Sequence, residues 1–320
     1  MIPRIRIAHL PTPVEPLPRL GMALEGAKIW VKRDDMTGLA GGGNKTRKLE
    51  YMMAEAQANG ARTLVTVGAV QSNHCRQTAA LAARFGLDCI LVLSGQPEEN
   101  PSGNLLLDHL FGAKIVWCKT EERDQVLQQT FEQAWAEGKR PYLIPLGAST
   151  AVGTLGYLSA FQEFLTQGLE VDWMVVASSS AGTQAGLVLG AMLSDWKGNV
   201  LGISIDHAAG DLQYRVAELV NEAAERIGSK IQCRAADVLV NDQYLGEGYG
   251  VPSPLEIEAI RLFARYEGLL LDPVYTGRAA AALIDLRRKG FFKPDERILF
   301  WHTGGTPALF AERYRTLLME

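Results

Sequence analysis

The chain has 320 residues, enough for two compact domains or one large α/β domain with a sizeable core. Its 47% hydrophobic and 21% charged residues are those of an ordinary folded protein and exclude wholesale disorder. A net charge of −4 with no Lys/Arg-rich run gives no electrostatic footprint for nucleic acid or an anionic membrane.

In chain order, the N-terminus is interrupted at Pro11 and Pro13, so it lacks the apolar region of a signal peptide. No stretch approaches the roughly 20 apolar residues that span a bilayer. A cytoplasmic protein is the expectation. Short β-branched runs then recur at Thr63–Val67, Cys89–Leu93, Lys114–Cys118, Tyr142–Pro145, Trp173–Ala177, Val200–Ile205 and Arg297–Trp301, each followed by a loop and an amphipathic helix. This alternation predicts an α/β fold of parallel sheets flanked by helices, with ligands held at the carboxyl ends of the strands.

The loops at those ends carry the chemistry. Residues 38–50 place Lys45 where a glycine-rich loop runs into a helix, whose apolar positions Leu49, Met52, Met53 and Ala56 form one face. Gly38 and Gly43 have the spacing of a phosphate-binding P-loop, but Asn44 intervenes before Lys45 and Thr46 and would turn the lysine away from a cradled phosphate. The segment Lys32–Asp35 is also too polar for the buried strand such a loop requires. A glycine-rich turn with a solvated lysine is the plain alternative. After Val67 come Ser72, Asn73 and His74, which offer a hydroxyl and an amide to a ligand or simply cap a helix. Free Cys75 is expected to face the core.

Ser178–Thr183 follows the best strand and opens an apolar helix, an anion site suited to a phosphate monoester, or a Ser/Thr cap. Its glycines, Gly182, Gly186 and Gly190, do not form a dinucleotide fingerprint. Tyr249 lies between two glycines, and Tyr275 and Thr276 follow a Leu-Asp-Pro-Val turn; such phenols act as acids or donors, or are buried for structure. Thr303 follows the last strand. The four cysteines form no C-x-x-C pair, and the five histidines have no zinc spacing, so neither a disulfide nor a metal is predicted. An amine, a phosphate loop, an amide, phenols and a hydroxyl together make the set that pyridoxal phosphate requires.

The runs Gly42–Glu50, Val70–His74, Leu271–Gly277 and His302–Gly305 resemble the D-cysteine desulfhydrase and 1-aminocyclopropane-1-carboxylate deaminase family of tryptophan-synthase-β-like pyridoxal-phosphate enzymes. The resemblance spans nearly the whole chain, from Leu10 to Phe310. It implies fold type II: two open, mostly parallel twisted sheets, with a large domain of 1–47 and 155–320, a small domain of 48–154, and a homodimer. It also implies Lys45 as the Schiff-base lysine and Asn73 on the cofactor's phenolic oxygen. Ser180, Ala181, Gly182 and Thr183 would hold the phosphate, and Thr303 would face the ring nitrogen. Ser72, His74, Tyr249, Tyr275 and Thr276 would lie at a small amino-acid substrate, with Lys45, Ser72 and the two tyrosines catalytic.

Ring-opening deaminases of this family carry Glu after the tyrosine and Leu after the histidine of the last motif, whereas this chain has Thr276 and Thr303. The resemblance therefore implies β-elimination of D-cysteine, with L-cysteate sulfo-lyase as the alternative. A P-loop-like nucleotide enzyme or a catalytically idle cofactor carrier are the readings from other classes. Lys45→Ala is expected to abolish both the visible absorption of bound cofactor and turnover. Borohydride trapping and peptide mapping check the assignment, which fails if the label lands elsewhere.

Overall fold

The structure, a computed structural model, describes residues 2–319. Ten strands are formed: β1 Val14–Pro16, β2 Lys28–Arg33, β3 Thr63–Ala69, β4 Asp88–Ser94, β5 Lys114–Cys118, β6 Pro141–Leu143, β7 Trp173–Ser178, β8 Asn199–Ser204, β9 Leu239–Asn241 and β10 Arg297–His302. The α-helices are α1 Pro18–Ala23, α2 Asn44–Ala58, α3 Asn73–Phe85, α4 Gly103–Leu110, α5 Arg123–Ala136, α6 Ala151–Thr166, α7 Gly182–Leu193, α8 Ala209–Arg226, α9 Pro254–Glu267, α10 Thr276–Arg288 and α11 Glu312–Met319. They build two sheets, one of six strands in the order β1-β2-β10-β7-β8-β9 and one of four in the order β5-β4-β3-β6. Only the β1–β2 pairing is antiparallel.

Both sheets are buried on two faces, because successive side chains of a strand point opposite ways. Along β7, Met174 and Val176 join one core, while Val175 and Ala177 join another together with α9 and α10. Likewise Leu64 and Leu91 face the first core, and Val65, Val67, Ile90 and Val92 pack on the side of Leu127 and Ala134 of α5. On α2, Leu49, Met52, Met53 and Ala56 are fully buried, and α6 packs against both α2 and α7.

Three strands escape the sequence pattern. β1 and β9 have three residues each and carry no period that could be read. β2 corrects the expectation that Lys32–Asp35 is too polar for a strand to lead into the lysine loop: Lys28–Arg33 pairs in parallel with β10 inside the larger sheet. The reason is a buried polar cluster that satisfies the charges. Lys32 Nζ donates to Thr12 O at 2.7 Å, Glu163 Oε1 at 2.6 Å and Gln167 Oε1 at 2.7 Å.

Beside it, Asp34 is wholly buried and accepts from Thr12 Oγ1, Arg47 Nε and Nη2, Tyr157 Oη and Trp301 Nε1, all within 3.0 Å. The Arg47 guanidinium holds the Asp34 carboxyl below its usual range despite burial. Removing one partner of such a pair strands the other charge in the interior. Arg47→Met is therefore expected to lower the unfolding free energy by about 3–5 kcal/mol. Urea denaturation with an unchanged slope measures it, and a loss below about 1 kcal/mol would refute the claim.

Candidate active site

The carboxyl ends of β3, β7 and β10 open into a cavity of about 420 Å³. Lys45, Ser72, Asn73, His74, Ser180, Ala181, Thr183, Tyr249, Tyr275 and Thr303 all line it. Gly182 lies just behind as the first residue of α7. Thr276 departs from the expected set. It does not line the cavity, because its hydroxyl is closed onto Asp272, donating to Oδ1 at 2.7 Å and accepting from the Asp272 N–H at 2.7 Å.

Lys45 owes its place to the glycines before it. Gly42 has φ 72°, and a Cβ there would lie 1.8 Å from Asp35 O, so no other residue fits. Gly43, φ 128°, has the Gln77 amide 2.5 Å from where a Cβ would lie. Asn44 then ties three loops together. Its N–H donates to Thr303 O at 3.0 Å, its Nδ2 to Thr183 Oγ1 at 2.9 Å, and its Oδ1 accepts from Lys45 Nζ at 3.3 Å. Burial pulls the Lys45 amine from 10.5 down to about 8; the Asp272 carboxylate opposes this and the Arg76 guanidinium assists it. A substantial neutral fraction then exists near physiological pH, which a nucleophilic or basic amine needs.

The loop 178–183 turns sharply, with Ala181 at φ 69°, and delivers the start of α7 to the cavity. Ser149 Oγ donates to Ser180 Oγ at 2.8 Å and accepts from Gly182 N at 3.3 Å. Lys48, one helical turn after Lys45, is wholly buried with its amine on Gly147 O and Ser149 Oγ, each at 3.1 Å. Among the described residues no carboxylate contacts it, and burial pushes its pKa well down. A Cβ on Gly182 would sit 2.8 Å from this amine. A buried amine lacking an anion, beside a helix N-terminus and free hydroxyls, fits a phosphate.

Ser72 caps α3, its Oγ accepting from Cys75 N at 3.2 Å. Asn73 Oδ1 accepts from Arg76 and Asn104, which leaves its Nδ2 for the cavity. His74 is buried and neutral, since desolvation pushes its pKa well down; its Nε2 meets Thr66 Oγ1 at 2.8 Å. The hydroxyls of Tyr249 and Tyr275 share a 2.6 Å hydrogen bond. Burial pushes both phenols upward, so both stay protonated at neutral pH. Arg278 Nη2 grips Gly248 O and the Tyr314 hydroxyl grips Gly250 O, each at 3.1 Å, which steadies Tyr249 between its glycines.

Sequence reasoning missed Lys48, Arg76, Asn104, Asp272, Arg278 and Tyr314. Only Lys48 had a signal, its spacing of three from Lys45 on one helix face.

A cavity lysine beside a helix N-terminus and a second buried amine, in a fold of two mostly parallel sheets, fits a class, and the chain belongs to it: the family described as "Pyridoxal-phosphate dependent enzyme" matches residues 5–304. Within that family the chain is similar to the D-cysteine desulfhydrase of Salmonella choleraesuis (strain SC-B67), 45% identical over 320 residues that cover 97% of this chain and 96% of the relative. A crystal structure described as an ACC deaminase homologue superposes with a TM-score of 0.91 at 39% identity, covering 99% of this chain and 96% of its own. An L-serine ammonia-lyase from Rhizomucor miehei, at 17% identity and a TM-score of 0.68 over 97% of this chain and 98% of its own, shares the fold. No helix among the described residues is long and apolar enough to cross a membrane.

Lys48→Met is expected to weaken pyridoxal-phosphate binding by roughly 10- to 100-fold, the worth of one charge-assisted hydrogen bond. The Lys45 linkage should persist, and fluorescence titration of the stripped protein reads the affinity. Unchanged affinity would remove Lys48 from the phosphate site.

Proposed function

We propose that this chain is a D-cysteine desulfhydrase, converting D-cysteine and water to pyruvate, hydrogen sulfide and ammonia by β-elimination. The observation that carries this reading is one cavity that joins an amine poised near pH 8 to two protonated phenols, in a chain 45% identical to a D-cysteine desulfhydrase.

Bound pyridoxal phosphate supplies an aldehyde carbon for covalent attachment and a ring that spreads the charge left at the substrate Cα. The protein does the rest. Asn73 would offer its free N–H to the phenolic oxygen, and residues 180–183 with Lys48 would take the phosphate. Thr303 would offer a neutral hydroxyl to the ring nitrogen, which would not enforce its protonation and would favour prompt loss of a β-leaving group. Ser72 and the N–H groups at the start of α3 receive the substrate carboxylate. Lys45, as a neutral amine at the cavity, would take the proton from the substrate Cα. Tyr249 and Tyr275 stand as O–H donors for the departing thiolate.

Position 276 supports elimination over ring opening. It holds a buried threonine behind the cavity wall and no carboxylate inside it. A second reading, L-cysteate sulfo-lyase, draws on Arg123 and Arg313 in the cavity lining, cations suited to an anionic β-substituent. The same proposal divides the chain into a small domain of 48–154 and a large domain of 1–47 with 155–320. All four strands of the smaller sheet fall between Thr63 and Leu143, which supports that division. A cytoplasmic homodimer completes it.

The test is pyruvate release from D-cysteine, L-cysteine, β-chloro-D-alanine, L-cysteate and 1-aminocyclopropane-1-carboxylate. D-Cysteine and β-chloro-D-alanine are expected to be turned over, with the acid limb of kcat near pH 8 where Lys45 becomes neutral. Turnover of L-cysteate alone would replace this reading with the second.

A further inference from the structure

Arg76, on the first turn of α3, is a fully buried guanidinium that no carboxylate contacts among the described residues. Burying a charge without a counter-ion costs free energy, so its retention calls for a reason. Its Nη1 donates to Asn73 Oδ1 at 2.9 Å and Asn104 Oδ1 at 2.8 Å and its Nη2 to Gly42 O at 2.8 Å, while Nε has no partner among the described residues. The first acceptor belongs to the amide beside the cofactor site. The last belongs to the glycine loop that aims Lys45.

We propose that Arg76 is a positioning residue for the reaction, holding the Asn73 amide with its N–H2 group towards the cavity and fixing the Lys45 loop to the start of α3. The orientation follows from chemistry. A guanidinium only donates, so it must face oxygens on both Asn73 and Asn104. Asn104 Nδ2, turned the other way, donates to Gln71 O at 2.8 Å and to Asn73 Oδ1 at 3.0 Å. Two donors on Asn73 Oδ1 leave its nitrogen only one direction. Arg76 thus sets a hydrogen bond it does not itself make.

Its charge has a second effect, on Lys45. The groups acting on that amine are Asp272 before α10, which favours the ammonium, and Arg76, which disfavours it. Lys48, on the same helix, has its pKa pushed down by burial and by Lys45, His74 is neutral, and both tyrosines stay protonated. Behind Arg76, Asp108 is buried with both oxygens unpartnered, and desolvation raises its pKa to about 8. A carboxyl that is mostly protonated at neutral pH does not cancel the guanidinium, whose pKa of about 10 keeps it charged. The field of Arg76 therefore reaches Lys45 opposed mainly by the Asp272 carboxylate.

This inference rests on the cofactor roles proposed for Lys45 and Asn73. The test uses the full chain with bound pyridoxal phosphate and compares Arg76→Gln, Arg76→Lys and Asn104→Ala. The visible absorption spectrum of the resting enzyme needs no substrate; the pH dependence of kcat uses whichever amino acid is turned over. Arg76→Gln is expected to shift the visible band and raise the acid limb of kcat by about one pH unit, since a like charge near the amine is gone. Arg76→Lys should keep the acid limb in place while shifting the band, because the cation remains and the fork is lost. Asn104→Ala should shift the band alone. A wild-type band and acid limb in Arg76→Gln would overturn the proposal, however much thermal stability is lost. If that variant does not fold, wild-type bands in both other variants overturn it. Failure of every amino acid to turn over would defeat the proposed function, while the spectra would still decide the role of Arg76.

Discussion

The Asp34 carboxylate is the point on which this architecture turns. It takes hydrogen bonds from Thr12 before β1, Arg47 of α2, Tyr157 of α6 and Trp301 of β10, so one buried charge joins four separated parts of the chain. Glu163 extends the cluster by accepting from Lys32 and both terminal nitrogens of Arg47. An apolar core gives adhesion without direction, whereas this cluster is satisfied in one geometry only. Because Arg47 lies two residues beyond Lys45, the cluster also fixes the rotation of α2 and with it the aim of the amine.

Buried cations in this protein fall into two kinds. Lys32, Arg47 and Arg278 each touch a carboxylate and serve the fold. Lys48 and Arg76 touch only carbonyl, amide and hydroxyl oxygens, and each bonds a residue that lines the cavity, Gly147 and Asn73 respectively. The difference is physical: a structural charge is neutralised by its own protein, while a binding site carries charge in excess for the ligand to neutralise or feel. Lys45 is drawn down to about 8 chiefly by burial, with Asp272 opposing and Arg76 assisting.

The longer parallel strands were legible because each is a β-branched run with a turn after it. What escaped was short or polar. β1 and β9 are edge strands of three residues, and β2 conceals a lysine whose partners, Glu163 and Gln167, are more than a hundred residues away. The site followed the same rule. Lys45, Ser72, Asn73 and 180–183 lie in contiguous motifs at strand ends and helix starts, so their gathering at one cavity could be expected from sequence. Thr276 could not be placed, because whether a hydroxyl faces the cavity or its own turn is decided by Asp272, four residues back and folded over it. Arg76 and Asn104 act on each other only after α3 and α4 pack together, so no local pattern announces them.

The hydrogen bond between Tyr249 and Tyr275 has a further meaning. Two hydroxyls that bind each other hold two hydrogens but spend one on the bond, so the pair presents a single free proton. Rotating both O–H bonds exchanges donor and acceptor, so the free hydrogen stands on the other ring with no movement of heavy atoms. Tyr249 is 39% exposed, whereas Tyr275 is mostly enclosed. The pair therefore offers one O–H donor that either the more exposed or the more enclosed ring can present.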